Sequence, residues 1–194
     1  MNQTNSEKYI VLDIETTGFS CTNNQIIEIA AIKVENKKII ERFDTLIDPH
    51  TSIPYHITKI TGISNNMVYN APSIESILPE FYDFLEDLPI VAHNAPFDIR
   101  FISHNLNLCG YSFNNQVIDT LKISKNIYPH FPNHKLENIA KNLHIKVETA
   151  HRAMADVETL HQIFNIMLND IKSNNINTCK NIECIYHKNN IYVE

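Results

Sequence analysis

The sequence predicts an α/β fold in which one mixed five-stranded sheet is flanked by helices. Two observations predict it. Five short segments are rich in apolar and β-branched residues, and the segments between and after the later ones repeat apolar residues every three or four positions. The first pattern is typical of buried strands and the second of amphipathic helices. Their order places an antiparallel hairpin beside parallel strands that are joined by helical crossovers.

The strands are predicted from short apolar runs with turn residues between them. They cover residues 9–12, 25–34, 39–47, 89–92 and 117–120. The first strand leads into Asp13 and Glu15, and residues 35–38 form the turn of the hairpin between the second and third strands. Prolines break residues 49–72 into a loop or short helical turns.

The helices are predicted from spacing and from their first residues. They cover residues 74–85, 97–108, a segment after 120, residues 136–143 and residues 154–171. Ser73 is expected to be the N-cap of the first of them. We expect a disordered N-terminus at residues 1–7 and one domain over residues 8–172. Residues 173–194 are expected to form a polar linker with a C-terminal tail or small hairpin.

Composition predicts a soluble globular protein. Hydrophobic residues make up 43% of the 194 residues and charged residues 20%, and no run approaches the roughly 20 apolar residues that cross a bilayer. Since the start also lacks a signal-peptide pattern, we expect a cytoplasmic protein with no membrane partner. The net charge of −6 argues against a broad basic nucleic-acid surface. It does not exclude an enzyme whose metal ions bring positive charge.

Cysteine usage favours a reducing compartment. The four cysteines contain no pair with the C-x-x-C spacing. Near the end of the chain, Cys179, Cys184 and His187 form a C-x4-C-x2-H cluster. A structural zinc site normally takes four ligands, so this cluster alone is weak evidence for zinc.

Asp13 and Glu15 are the first candidates for a metal site. Residues two apart in a strand point to the same face of the sheet. Two carboxylates side by side on that face repel each other and resist desolvation unless a cation neutralises them, and a divalent metal ion is the simplest such cation. The alternative is that the strand ends at Leu12 and both acids lie in a solvated loop.

Two further acids lie where the predicted topology brings them to the same edge. Asp98 follows the strand at residues 89–92, and Asp156 lies near the start of the last helix. The alternative for each is an acid that only complements a helix dipole. The small residues Ala153 and Ala155 would let the last helix approach the sheet closely. His151 can serve the same site as Asp156 only if that helix begins after His151, because five helical residues turn through about 500°.

Three phrases of the sequence carry a family resemblance. They are DIETTG at residues 13–18, VAHNAPFD at residues 91–98 and HRAMAD at residues 151–156. Together they resemble the three exonuclease motifs of the DnaQ-like family, in the DEDDh branch of 3′–5′ exonucleases. The resemblance covers residues 8–168 and implies an RNase H-like fold.

The resemblance implies a role for thirteen residues. It implies that Asp13, Glu15, Asp98 and Asp156 bind two divalent metal ions, Mg²⁺ or Mn²⁺, and that His151 is the general base. It also implies contacts with the terminal nucleotide or its base from Thr16, Thr17, Gly18, Ile60, Thr61, His93, Asn94 and Phe97. Thr61 departs from the family pattern, in which a histidine precedes Gly-Ile at the corresponding place, and this departure concerns the base-side contact only.

By this resemblance we expect a 3′–5′ exonuclease that hydrolyses DNA 3′ ends in proofreading or repair. Single-stranded or frayed ends are the expected substrate, and a DNA polymerase subunit is a partner that would act in trans. The implied role of His151 is chemically consistent, because an imidazole with a pKa of about 6.5 can take a proton from water at neutral pH. The alternatives are an RNA-trimming exonuclease of the same fold and a non-catalytic nucleic-acid-binding subunit.

Overall fold

The computed structural model describes residues 7–147 and 152–173, and it shows the mixed five-stranded sheet that the sequence predicts. The strands are β1 (Lys8–Thr16), β2 (Ile26–Glu35), β3 (Lys38–Leu46), β4 (Ile90–Ala92) and β5 (Val117–Asp119). Their order in the sheet is β3-β2-β1-β4-β5. β1 is antiparallel to β2 and parallel to β4, and β4 is parallel to β5. β1 is therefore the central strand.

Seven helices lie in the described part of the chain. They are α1 (Tyr55–Thr61), α2 (Asn65–Val68), α3 (Ile74–Leu85), α4 (Pro96–Leu108), α5 (Thr120–Ile127), α6 (Leu136–Asn142) and α7 (Ala153–Ser173). The short helical turns expected between residues 49 and 72 are α1 and α2. Gly62 ends α1 at φ 73°, a left-handed conformation that suits glycine, and its N–H donates to the Thr58 carbonyl at 2.9 Å. Ser73 is the N-cap residue of α3, as expected, but its side chain makes no capping hydrogen bond to the helix.

Alternation along β1 divides the core into two layers. Ile10, Leu12 and Ile14 pack with α3 and α4 on one face of the sheet. Tyr9 and Val11 face the other layer, which contains the buried residues of α7 and contributions from α5 and α6. Because side chains alternate between faces with period two, Asp13 and Glu15 lie on the α7 face.

The structure settles where the first strand ends. β1 continues past Leu12 to Thr16, so Asp13 and Glu15 are strand residues and do not lie in a solvated loop. The sequence predicted an apolar run over residues 9–12 that leads into Asp13 and Glu15, and the structure confirms these two acids at the end of the strand. Antiparallel pairing continues through Glu15 opposite Glu28, and the register shifts only between Glu15 and Thr16.

Several predictions concern residues outside the described ones. The disordered N-terminus, the tail or hairpin after residue 173 and the cluster of Cys179, Cys184 and His187 belong to this group. The domain division at residue 172 therefore stays a prediction. In the described residues, Cys21 and Cys109 are free thiols. None of the helices in the described ranges combines the length and the apolar character that crossing a membrane needs.

Candidate active site

Three carboxylates meet at one edge of the sheet. Asp13 and Glu15 come from the carboxyl end of β1, and Asp156 comes from the first turn of α7. One carboxylate oxygen of each lies within 4.8 Å of those of the other two. The sequence predicted this meeting from the two-residue spacing on β1 and from the small residues at the start of the last helix. Ala153 is fully buried there, and α7 packs on β1 and β2.

Asp98 approaches the same place from the parallel strand β4. It lies in the first turn of α4, it is 3% exposed, and its Oδ1 accepts the backbone N–H of Ile14 at 3.3 Å. That contact places the carboxylate against the backbone between Asp13 and Glu15. Among the described residues, the group of carboxylates within 4.8 Å comprises Asp13, Glu15 and Asp156, so Asp98 lies beside this group.

The acids raise one another's pKa. Burial is the largest cause for Asp13, whose pKa lies well above its ordinary value, and the charges of Asp98 and Glu15 come next. The pKa of Glu15 is raised to about 8, first by burial and then by the charge of Asp156. Burial also raises the pKa of Asp98 to about 8, against the lowering effect of backbone hydrogen bonds. In the absence of a cation, the cluster therefore retains protons at neutral pH.

The donor set fits divalent cations. It consists of carboxylate oxygens, which Mg²⁺, Mn²⁺ and Ca²⁺ prefer, and it contains none of the sulfur ligands that a structural zinc site uses. The raised pKa values show that the protein's own charges do not compensate this group of acids. A bound cation would reverse the shifts by stabilising the ionised form. Asp13, Glu15, Asp156 and Asp98 are thus the residues that could hold metal.

His151 lies outside the described residues, so its predicted role as general base stays a prediction. One condition for that role is met. α7 begins at Ala153, two residues after His151 in the chain. Within one helix, a rotation of about 500° would leave His151 and Asp156 about 140° apart around the axis. This obstacle does not apply, because α7 begins after His151.

The last residue of β1 and the loop that follows it contain three of the predicted nucleotide contacts. Thr16 and Thr17 are buried, and their hydroxyls are engaged within the loop. Thr16 Oγ1 donates to the Gly18 carbonyl at 2.6 Å, and Thr17 Oγ1 accepts the N–H of Gln25 at 2.9 Å. A Cβ at Gly18 would lie 2.7 Å from the Asn24 side chain, so a larger residue there would displace this side chain, whose Oδ1 accepts the N–H of Ser20 at 3.0 Å. The contact of this loop with nucleotide stays a prediction.

The Ile60–Thr61 pair lies on α1. Ile60 is 53% exposed, which leaves its side chain available to a ligand. Thr61 is buried, and its hydroxyl donates to the Ile57 carbonyl and accepts the N–H of Ile63, both at 3.1 Å. Thr61 therefore stabilises the end of α1. The contact of this pair with a base stays a prediction, and Ile60 is better placed than Thr61 to make it because its side chain is exposed.

The remaining three predicted contacts lie in the turn after β4 and in the first turn of α4. His93 Nε2 donates to the His134 carbonyl at 2.8 Å, and Nδ1 lies 2.9 Å from Thr120 Oγ1, so both ring nitrogens are engaged within the protein. Burial lowers the pKa of His93, which keeps the ring neutral. Asn94 has φ 60°, and Phe97 is half-buried, with its ring centroid 6.3 Å from that of Phe19. Their roles toward a substrate stay predictions.

Two buried acids near the site escaped the sequence reasoning. Asp119 ends β5, and its Oδ1 accepts the N–H groups of Asn94 and Leu121, both at 3.0 Å. It therefore fixes the left-handed turn that leads to Asp98. Glu28 lies on β2, is 1% exposed and pairs with Arg152. The available signal was an acid within an apolar run in each of two strand segments, Glu28 in IIEIAAI and Asp119 in VID.

Comparison with known proteins agrees with this geometry. The exonuclease family model RNase_T matches residues 10–164. The chain is 38% identical over 187 residues to a PolC-type DNA polymerase III of Caldanaerobacter subterraneus subsp. tengcongensis, covering 96% of this chain but 13% of that protein. It is 36% identical over 170 residues to the 3′-5′ exonuclease DinG of Bacillus subtilis, covering 87% of this chain and 18% of that one. The chain thus spans less than a fifth of either relative.

Solved structures show the same fold. Exonuclease X in complex with 5′ overhanging duplex DNA matches with a TM-score of 0.69 and 26% identity, covering 83% of this chain and 91% of that one. The nuclease domain of 3′hExo, a DEDDh family member bound to rAMP, matches with a TM-score of 0.71 and 17% identity, covering 86% and 94%. The fold is thus RNase H-like, as the sequence resemblance implied. The chain belongs to the RNase_T exonuclease family, as a DnaQ-like member of the DEDDh type.

Proposed function

We propose that this chain is a metal-dependent 3′–5′ exonuclease that releases nucleoside monophosphates from DNA 3′ ends. The observation that carries the proposal is the meeting of Asp13, Glu15 and Asp156 within 4.8 Å, with Asp98 beside them. Carboxylates that meet at the carboxyl edge of a sheet match the chemistry of metal-assisted phosphodiester hydrolysis. Family membership supports the same reaction.

Two divalent ions, Mg²⁺ or Mn²⁺, suit this site. Asp13, Glu15, Asp98 and Asp156 would hold them. When bound, such ions lower the pKa of a coordinated water and stabilise the departing oxygen of the phosphodiester. The charge of the chain also becomes less unfavourable for an anionic substrate, since −6 with two divalent ions gives −6 + 4 = −2.

The protein's own residues have three tasks in this scheme. Asp98 stays fixed against β1 through the N–H of Ile14, so it can take part without a large rearrangement. His151 accepts the proton of the attacking water. The 16–18 loop and the turn at Asn94 border β1 and α4, and in the proposal they bind the terminal nucleotide.

DNA is the proposed substrate because the relatives with the longest matches are DNA polymerases, and because exonuclease X was solved with DNA. Single-stranded or frayed 3′ ends are the proposed form, with proofreading or repair as the setting. An RNA-trimming activity is the alternative, since the sugar is selected by contacts to the 2′-OH. The match to one part of PolC-type polymerases supports a polymerase subunit as the partner in trans.

The test is degradation of matched 5′-end-labelled DNA and RNA single strands in Mg²⁺, in Mn²⁺ and in EDTA. Asp13→Ala is the variant that should lose activity. Asp87→Ala is the matched control, because Asp87 is exposed and precedes β4, whereas Asp98 follows it. We expect stepwise shortening from the 3′ end that needs metal and Asp13 but not Asp87. Equal activity of the two variants, or degradation in EDTA, would overturn the proposal, and faster loss of the RNA would name the alternative substrate.

A further inference from the structure

Glu28 is a buried acid next to the acidic cluster, and both of its carboxylate oxygens accept hydrogen bonds. Glu28 on β2 lies directly opposite Glu15 in the antiparallel register, so both side chains face α7. Its Oε1 accepts hydrogen bonds from Arg152 Nη2 at 2.6 Å and Nε at 3.1 Å. Its Oε2 accepts the backbone N–H of Ala153 at 2.9 Å. Three N–H groups from two successive residues thus converge on one buried carboxylate.

These contacts lie at the N-terminus of α7, one turn before Asp156. The carbonyl of Arg152 accepts the N–H of Asp156 at 3.0 Å, while the Arg152 side chain binds Glu28. Arg152 is therefore connected at its side chain to the sheet and at its backbone to the first turn of the helix. This chain of contacts links β2 to the metal-binding candidate on α7.

The geometry resists small displacements of the helix. A guanidinium presents its donors in a rigid planar fork, so the two bonds to Glu28 fix direction as well as distance. The bond from Ala153 makes Glu28 a cap for α7 that is supplied by another strand, and a carboxylate at a helix N-terminus also complements the helix dipole. The Glu28 side chain is 2% exposed, so water competes little for its carboxylate oxygens, although the Arg152 side chain is 41% exposed.

We infer that Glu28 and Arg152 are positioning residues, which hold the first turn of α7 so that Asp156 meets Asp13 and Glu15. The inference rests on the proposed function. The competing interpretation is that Glu28 is a further metal ligand, since it is an acid beside the cluster. Its oxygens already accept three N–H donors, and the group within 4.8 Å among the described residues does not include it.

The experiment compares Arg152→Ala, Arg152→Lys and Glu28→Gln with the control Arg42→Ala. Arg42 also joins the sheet to α7, through Glu158 at 2.5 Å, which lies two residues after Asp156. Both side chains of this pair are about half exposed, whereas the Glu28 side chain is 2% exposed. Mn²⁺ affinity is measured without nucleic acid by electron paramagnetic resonance. The kcat and KM are then measured on 5′-labelled single-stranded DNA at saturating metal, and circular dichroism checks folding.

We expect Arg152→Ala to lose about 10–100-fold in Mn²⁺ affinity, as outer partners of metal ligands typically do. At saturating metal it should lose kcat by a similar factor and change KM less than about threefold, because it moves a metal-binding acid rather than the substrate pocket. Arg152→Lys should fall between wild type and Arg152→Ala, since it keeps the charge but not the fork. Guanidinium added to Arg152→Ala, with ionic strength matched by NaCl, should recover part of the Mn²⁺ affinity.

The controls decide the interpretation. Mn²⁺ affinity of Arg152→Ala equal to that of Arg42→Ala would overturn the inference. So would a Glu28→Gln variant that loses Mn²⁺ affinity as fully as Asp13→Ala while Arg152→Ala retains it, because Glu28 would then act as a ligand. If Arg152→Ala does not fold, Arg152→Lys carries the test by the same measurements. If wild-type protein degrades neither strand, the proposed function fails, while the Mn²⁺ affinities still test the positioning role.

Discussion

Glu15 and Glu28 are the same kind of residue, directly opposite each other in neighbouring strands, yet they have different surroundings. Glu28 is the more deeply buried, and it receives a guanidinium and a backbone N–H. Burial, and then the charges of neighbouring carboxylates, raise the pKa of Glu15 to about 8, and the charge of Arg152 offsets only part of this effect. The difference is therefore one of partners, and burial alone does not explain it.

This comparison distinguishes a structural acid from a functional one. A buried carboxylate whose partners are all in the protein needs nothing from solution. A group of carboxylates that raise one another's pKa is stabilised in its ionised form when a cation binds from solution. In the proposed function, Arg152 binds Glu28, while Asp13, Glu15 and Asp156 bind metal.

The largest expected effect comes from replacing Glu15 and Glu28, one at a time, by glutamine, which has a similar shape but no charge. Glu15→Gln should lower turnover by more than about 10³-fold, because metal ions supply several kcal/mol of transition-state stabilisation. In EDTA at pH 8 the same variant should melt at a higher temperature than wild type, since one repelling charge is gone.

Glu28→Gln should shift stability in the opposite direction. It should lower the free energy of unfolding by about 1–3 kcal/mol, because a charged hydrogen-bond acceptor for Arg152 is weakened. Melting in EDTA, followed by circular dichroism, measures both variants. A lower melting temperature for Glu15→Gln would contradict the comparison, as would an unchanged one for Glu28→Gln.

His151→Ala should reduce kcat by about 10²–10⁴-fold, the contribution typical of a general base. Mn²⁺ affinity should stay within a small factor of wild type, since the acids are intact. The pairing of these two measurements separates the imidazole's role from that of the acids. Unchanged kcat for His151→Ala would remove this residue from the mechanism.

The metal-free protein should lose stability as pH rises. Since the pKa of Glu15 is raised from 4.5 to about 8, the folded state holds a proton that the unfolded state has released across that interval. Stability is then fully present below about pH 4.5 and falls toward pH 8, by at most about 1.4 kcal/mol per pH unit for each retained proton. Thermal unfolding in EDTA at several pH values between 5 and 8 measures this slope from the change in melting temperature. Saturating Mg²⁺ should flatten it, and a rise of stability with pH in EDTA would contradict the argument.

Arg42→Ala should have the smallest effect. The Arg42–Glu158 pair has half-exposed side chains, and exposed ion pairs contribute about 0–1 kcal/mol. We expect a melting temperature within a few degrees of wild type and unchanged turnover. A loss of turnover here would show that any link between the sheet and α7 matters, and the distinction between the Arg152 and Arg42 contacts would not hold.

The sequence was sufficient to predict the sheet, its mixture of antiparallel and parallel pairing, and the three acids that meet at its edge with Asp98 beside them. These features depend on local patterns, such as the two-residue spacing of Asp13 and Glu15 or the strand-to-helix step before Asp98. The structure confirms the meeting of Asp13, Glu15 and Asp156. It also decides between the two interpretations of Asp13 and Glu15, because β1 extends to Thr16 and both acids are strand residues.

The pairing of Glu28 with Arg152 could not be predicted in the same way. The two residues are 124 positions apart, and each fits an ordinary local interpretation, as a strand residue and as a residue before a helix. Their pairing follows only from the register that places Glu28 opposite Glu15 and from the docking of α7 on that face. The contact of Asp119 with the Asn94 turn could not be predicted for the same reason, because it joins residues that are 25 positions apart.

The distance along the chain between β1 and α7 has a consequence for folding. During synthesis, β1, β2 and β3 emerge together, and their antiparallel pairing involves contacts between nearby residues, which form early. Until α7 has been made and has docked, Glu28 lacks the guanidinium of Arg152, and Asp13, Glu15 and Asp98 lack Asp156. A nascent chain that lacks α7 therefore already carries three of the four acids of the proposed metal site, and we expect it to bind divalent metal weakly. The capacity to cut nucleic acid arises only when that helix closes the fold.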